Sequence, residues 1–170
     1  MNRRQLCLAL APWVVGAALP GCGFRLRGSY DYVFNALFVD MESAPQVGAV
    51  LVRSLKQENK LTIYTEPQDR PKAKLVLVLT GEQFDRVITV TNASGQVREL
   101  QIRLRVNFSL LDNEGNELIA KTSVAQQRNI SYNETQALGK ASEEALLTQD
   151  LLSDVAQQLQ RRLAAYRQKV

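Results

Sequence analysis

The sequence predicts an α+β two-layer sandwich, a mixed four-stranded sheet with two helices packed on one face. Three observations predict it. The elements read along the chain run β-α-β, then three further extended segments, then α. Residues 99–110 alternate strictly between apolar and polar side chains, so one face of that strand rests on a core. Two stretches carry a single apolar stripe at helical spacing, and the economical way to bury both stripes is on the same side of the sheet.

Ahead of the domain, residues 1–21 read as a cleaved lipoprotein signal peptide. Arg3 and Arg4 supply a positive n-region, and Leu6 to Leu19 form an apolar core too short to cross a ~30 Å hydrocarbon layer as a helix. Leu19-Pro20-Gly21-Cys22 then resembles a bacterial lipobox, with an apolar residue three before the cysteine and glycine just before it. In such a motif the Cys22 thiol is acylated, palmitate included, and becomes the mature N-terminus. Pro20 departs from the small or β-branched residue usual there, which bears on cleavage efficiency. Gly23 rather than aspartate follows the cysteine, and the sorting rule for these motifs then implies the outer membrane. The alternative is a plain signal peptide or an uncleaved anchor with Cys22 as an ordinary thiol. Residues 22–170 make one domain of ordinary size.

Within that domain, Tyr32 to Asp40 is a first short strand rich in Val, Phe and Leu. Ser43-Ala44-Pro45-Gln46 resembles a capping box with proline in the first turn, where a missing N–H does no harm. Val47, Val50, Leu51, Ser54 and Leu55 recur at 3–4 spacing and predict an amphipathic helix ending near Asn59. Lys60 to Thr65 is a short strand, followed by a loop containing Pro67 and Pro71. In the extended stretch Ala73 to Val90, Leu75 to Leu79 is apolar on both faces, which predicts a covered strand with a bulge near Gly81.

Asn92-Ala93-Ser94-Gly95 is a turn into the cleanest strand, where Leu100, Ile102, Leu104, Val106, Phe108 and Leu110 point one way and Glu99, Gln101, Arg103, Arg105, Asn107 and Ser109 the other. Asp112 to Asn116 turns the chain back into Glu117 to Tyr132, whose second half (Gln126, Gln127, Arg128, Asn129) is unusually polar. A long helix, roughly Ala137 to Arg167, closes the chain. Leu138, Ala141, Ala145, Thr148, Leu152, Val155, Leu159, Leu163 and Tyr166 trace its stripe.

Composition narrows the function. Arg3 and Arg4 fall within the signal, so the 21 basic residues become 19 against 17 acidic ones. That near balance, with export, argues against nucleic-acid binding. Cys7 lies in the cleaved segment and Cys22 is spent on lipid, so packing alone holds the core. The chain has no histidine, which removes Ser-His and Cys-His nucleophiles, imidazole bases and the usual zinc sites. Asp112, Glu114 and Glu117 belong to a turn, and Glu143 and Glu144 to a helix start, so they read as solvated surface rather than paired catalytic carboxylates. An enzyme is not expected, nor any cofactor or metal beyond the covalent lipid.

Gly21-Cys22-Gly23-Phe24-Arg25-Leu26-Arg27-Gly28 resembles the start of mature lipopolysaccharide-assembly lipoproteins of the LptE family, in which the acylated cysteine precedes glycine, an aromatic and a basic-Leu-Arg stretch. Length, element order and the Ala137-Leu138-Gly139-Lys140 segment agree across residues 22–170. The resemblance implies a non-enzymatic outer-membrane lipoprotein that sits in the lumen of the β-barrel LptD, or faces the periplasm beside it. There it helps the barrel assemble, plugs it, and assists insertion of lipopolysaccharide into the outer leaflet.

Barrel lumens are polar, and the Gln, Asn and Arg faces of 99–109 and 126–131 suit a plug there. Lipopolysaccharide phosphates call for Arg or Lys, and Lys140, Arg98, Arg103, Arg105, Arg128 and Arg86 are the candidates, Lys140 by its place before the last helix. Each could equally be a solvated charge on an exposed strand. Asn92-Ala93-Ser94-Gly95 lacks the basic residue that family members often carry in this turn. Two other readings compete: a free-standing, membrane-anchored lipid carrier, and a purely structural lipoprotein. A carrier needs a cavity lined by surplus apolar side chains, whereas here the apolar faces of sheet and helices satisfy one another.

Overall fold

The structure, a computed structural model, describes residues 30–131 and 137–166. The lipobox and Cys22 lie outside the described residues, as do Arg167 and Lys169. The elements are β1 (Ala36–Asp40), α1 (Pro45–Gln57), β2 (Thr62–Tyr64), a 3-10 segment (Pro67–Lys72), β3 (Leu75–Thr91), β4 (Val97–Asp112), β5 (Glu117–Ser131) and α2 (Ala137–Ala165).

The sheet is mixed, as expected, but has five strands in the order β2-β1-β3-β4-β5 rather than four. The extra member is the three-residue β2, which pairs in parallel with β1 through Ala36–Thr62, Leu37–Ile63 and Phe38–Tyr64. β1 also pairs in parallel with β3, while β3, β4 and β5 form a long antiparallel meander. The first strand starts later than the sequence suggests. Tyr30, Tyr32 and Phe34 precede it as a run of tilted ring contacts, with centroids 6.4 and 5.5 Å apart.

Both helices cover one sheet face. Leu37, Val39, Leu75, Leu77, Leu79, Leu104, Val106, Phe108 and Leu110 meet Val47, Leu51 and Leu55 of α1 and Leu151, Val155, Leu159 and Leu163 of α2 in one core. On the other face a small cluster of Phe38, Ala73 and Val76, flanked by Tyr64, Val78 and Leu111, covers the parallel end of the sheet. Leu75 to Leu77 is therefore buried on both faces, as its unbroken apolar run predicted.

The bulge is also present. Between Thr80 and Gln83 the β3–β4 register slips, and Gly81 takes φ +67°, a left-handed backbone that glycine adopts without penalty. Because of that slip, even-numbered residues of β3 beyond it share the helix side with Leu100, Ile102 and Leu104.

Two expectations need correcting. The capping box is not formed: the N-cap of α1 is Ala44, with no side-chain cap bond from its own turn. Instead Glu82, in the β3 bulge, accepts hydrogen bonds from the backbone N–H groups of Gln46 and Val47, both at 3.1 Å. A carboxylate at that end also suits the helix dipole. The α2 stripe is buried only in its second half. Ala141 and Ala145 are exposed and Thr148 half-buried, because the first turns overhang the core that Leu151 onward fills.

Candidate functional site

Register fixes which side chains share the face away from the helices. Glu99, Gln101, Arg103, Arg105 and Asn107 of β4 lie opposite Ser131, Asn129, Gln127, Ala125 and Ser123 of β5. On the β3 side Asp85 lies opposite Arg103, and Gln83 opposite Arg105. Ala125, and Val87 opposite Gln101, are the apolar side chains among them, and no helix covers this area. The parity of β4, apolar toward the core and polar away from it, produces this face directly.

The face is organised. The Gln101 amide nitrogen donates to Asn129 Oδ1 at 2.8 Å, and Asn129 Nδ2 donates to Glu99 Oε1 at 2.6 Å. Arg103 Nε donates to Gln101 Oε1, and Gln83 donates to Asp85 at 2.9 Å. Gln101 is only 8% exposed, so its amide is held by bonds rather than by water. Amide ladders of this kind present donors and acceptors at fixed positions, which suits a polar partner surface. Charge on the face is nearly balanced, with Arg103 and Arg105 beside Asp85 and Glu99.

The six basic candidates are not gathered into one site. Arg103 and Arg105 share the helix-free face, as the alternation predicted. Arg86 and Arg128 point to the other side: Arg86 pairs with Glu144 of α2, and Arg128 with Asp154. The polar second half of β5 thus divides between two faces. Gln126 bonds Gln158 of α2 at 3.2 Å, while Gln127 and Asn129 sit on the open face. Arg98 is exposed at the start of β4, near the Asn92–Gly95 turn. The Lys140 side chain lies outside the described residues.

A second feature was not foreseen. At the end of the sheet away from that turn, an open cleft of about 1090 Å³ lies between the residues before β1, the start of β3, the β4–β5 turn and the end of α2. Val33, Phe34, Leu75, Leu118 and Ile119 give it an apolar floor. Asp112, Glu114 and Glu117 edge it on the turn side, and Lys74 and Arg162 elsewhere. Asp112 accepts bonds from the Asn116 side chain and then its backbone N–H, and these hold its carboxyl below the usual range. Arg162 lies 5.4 Å from the Phe108 ring centroid, within cation–π reach. The cleft assembles from four separate segments, so no local motif announced it.

Fold and face together define a class: a two-layer α+β domain that presents one polar sheet surface outward. Solved lipoproteins share this architecture. An uncharacterised lipoprotein B from Nitrosomonas europaea matches with TM-score 0.71 at 25% identity, covering 85% of this chain and 92% of that one. A minor lipoprotein from Acinetobacter baumannii shares the fold with TM-score 0.62 at 20% identity, over 79% of this chain and 94% of its own. By sequence, residues 34–163 match the family described as LptE, lipopolysaccharide-assembly. Relatives described as LPS-assembly lipoprotein LptE agree: one from Photorhabdus laumondii is 28% identical over 96% of this chain and 87% of its own length. Another, from Yersinia enterocolitica, is 31% identical over 96% of this chain and 77% of its own. The chain belongs to the LptE family.

Proposed function

We propose that this chain is an outer-membrane lipoprotein of lipopolysaccharide assembly, acylated on Cys22, that seats in the lumen of an LptD-like β-barrel, aids its folding and supports lipopolysaccharide insertion. The observation that carries this reading is the helix-free face of β3–β5. It is broad, polar, nearly neutral and pre-organised by the Glu99–Asn129–Gln101–Arg103 network. A surface of that kind suits the polar interior of a barrel better than an apolar partner. Among the described residues no helix is long and apolar enough to cross a membrane, so attachment falls to the lipid in this reading.

Lipopolysaccharide contact is assigned to Arg103 and Arg105, the two basic candidates on this face, with Arg98 at the start of β4. Arg86 and Arg128 serve instead to tie the sheet to α2. A free-standing lipid carrier is the second reading, favoured by the cleft of about 1090 Å³. Its edge sets Asp112, Glu114 and Glu117 against Lys74 and Arg162, a small acidic excess that disfavours an anionic lipid headgroup and places the carrier behind the barrel complex.

The test is site-specific photocrosslinking in cells. p-Benzoylphenylalanine at Gln127 or Asn107 should capture a β-barrel protein of the outer membrane, and at Gln158, on the side of α2 that faces β5, should not. Capture of no outer-membrane protein from the polar face contradicts the reading.

A further inference from the structure

We propose that the outer edge of β5 pairs with the β5 of a second copy of this chain, joining two domains about a two-fold axis. β5 ends the sheet and has β4 as its only strand partner among the described residues. The two edges of the sheet differ. β2, at the other edge, is three residues long and runs into the proline-bearing segment Pro67–Lys72, and both features keep a further strand from adding. β5 is 15 residues long, has no proline or glycine, and keeps one register with β4 from Thr122 to Ser131. Its register shifts lie between Glu117 and Thr122, and its Arg128 is already paired with Asp154. Such an edge offers a regular row of backbone donors and acceptors to another strand.

Charge on the neighbouring helix fits a second copy. α1 lies over β1 and β3, so the flank of α2 away from α1 overlooks the β5 edge. Asp154 and Gln158 on that flank reach Arg128 and Gln126 of β5. Asp150 and Arg161 share the flank by helical spacing. Both are exposed, and neither forms an ion pair among the described residues. The two ties show that α2 and β5 run in opposite directions, and they set the midpoint of Asp150 and Arg161 about level with Gln127. A two-fold axis through Gln127 therefore brings Arg161 of each copy toward Asp150 of the other.

The strand residues agree with the same axis. Antiparallel pairing about Gln127 sets Ala125 opposite Asn129 and Ser123 opposite Ser131 on the helix-free face. On the other face Gln126 meets Arg128, and Val124 meets Ile130, a β-branched apolar pair buried in each copy. No like charges oppose one another from 123 to 131, and the same contacts serve both copies, as a two-fold interface requires. The inference concerns copies outside any barrel and does not rest on the barrel reading.

The experiment expresses the full-length chain in excess with introduced cysteines, oxidises the membranes, and maps disulfides by mass spectrometry. Gln127→Cys should form a covalent homodimer, since directly opposed residues of paired strands stand within disulfide reach. Ala125→Cys alone should form far less, because the axis sets its two copies ~13 Å apart along the strands. R161E should lower the Gln127→Cys yield at least about twofold, the scale of exposed ion pairs, and D150K added to R161E should restore it. Equal yields at 125 and 127 overturn the proposal, as do disulfides to another protein only, or a yield that charge reversal leaves unchanged. Ala125→Cys with Asn129→Cys in one chain guards against a Gln127 variant that fails to fold. It too should dimerise, and silence from both is likewise fatal.

Discussion

Gly48 is buried in α1, and a side chain there would overlap Cβ of Met41 and come within 2.8 Å of its sulfur. Helix propensity alone favours alanine by up to ~1 kcal/mol, but the neighbour is the root of a side chain and gives way poorly. We therefore expect Gly48→Ala to lose about 1–2 kcal/mol, since overpacking outweighs propensity, as chemical denaturation would show. Leu104 poses the opposite problem. It is fully buried in the middle of β4, between Phe84 and Gln126 in register. Leu104→Asp places an unpaired carboxylate there at a cost of several kcal/mol. The expected result is loss of near-ultraviolet circular dichroism and of a cooperative melt; an unchanged melting temperature would mean that the strand register is wrong.

At the scale of elements, the amino terminus of α1 is held by a residue from another element. Glu82 caps it from the β3 bulge, which Gly81 makes possible. Glu82→Ala should cost about 1 kcal/mol, the worth of a cap, whereas Ser43→Ala should stay within about 0.5 kcal/mol. Equal losses in a thermal melt would contradict this assignment. The local motif at Ser43 to Gln46 suggested a self-contained cap, and it misled because a partner 36 residues away is invisible to spacing. β5 and α2 are joined in a similar way by Arg128 and Asp154, each about one-third exposed. A double-mutant cycle should give a coupling of only about 0.2–1 kcal/mol. That pair was hidden by the polar run of 126–129, where the sequence shows four polar residues but not which two meet a helix.

Across the whole molecule, what was legible is what periodicity controls. The alternation of 99–110 gave both the core of β4 and its open polar face, because a period of two admits only one assignment once one side is buried. The unbroken run Leu75 to Leu79 gave the covered strand. Three-residue β2 lies within the short strand read at Lys60 to Thr65, but its edge pairing with β1, which makes the sheet five-stranded rather than four-stranded, depends on topology. The cleft was illegible for the same reason, being formed where four segments converge. Cys22, though read from a short motif, bears on the largest claim, since the lipid it would carry decides where the polar face can act.

The most direct test of that claim is purification of the tagged full-length chain from outer membranes in mild detergent, with its partners identified by mass spectrometry. The account predicts a stoichiometric outer-membrane β-barrel protein that survives washing, and partial loss of it when Arg103 and Arg105 are both reversed to glutamate. Recovery of the lipoprotein alone, or with lipid only, would contradict the barrel complex and leave the polar face without its proposed role.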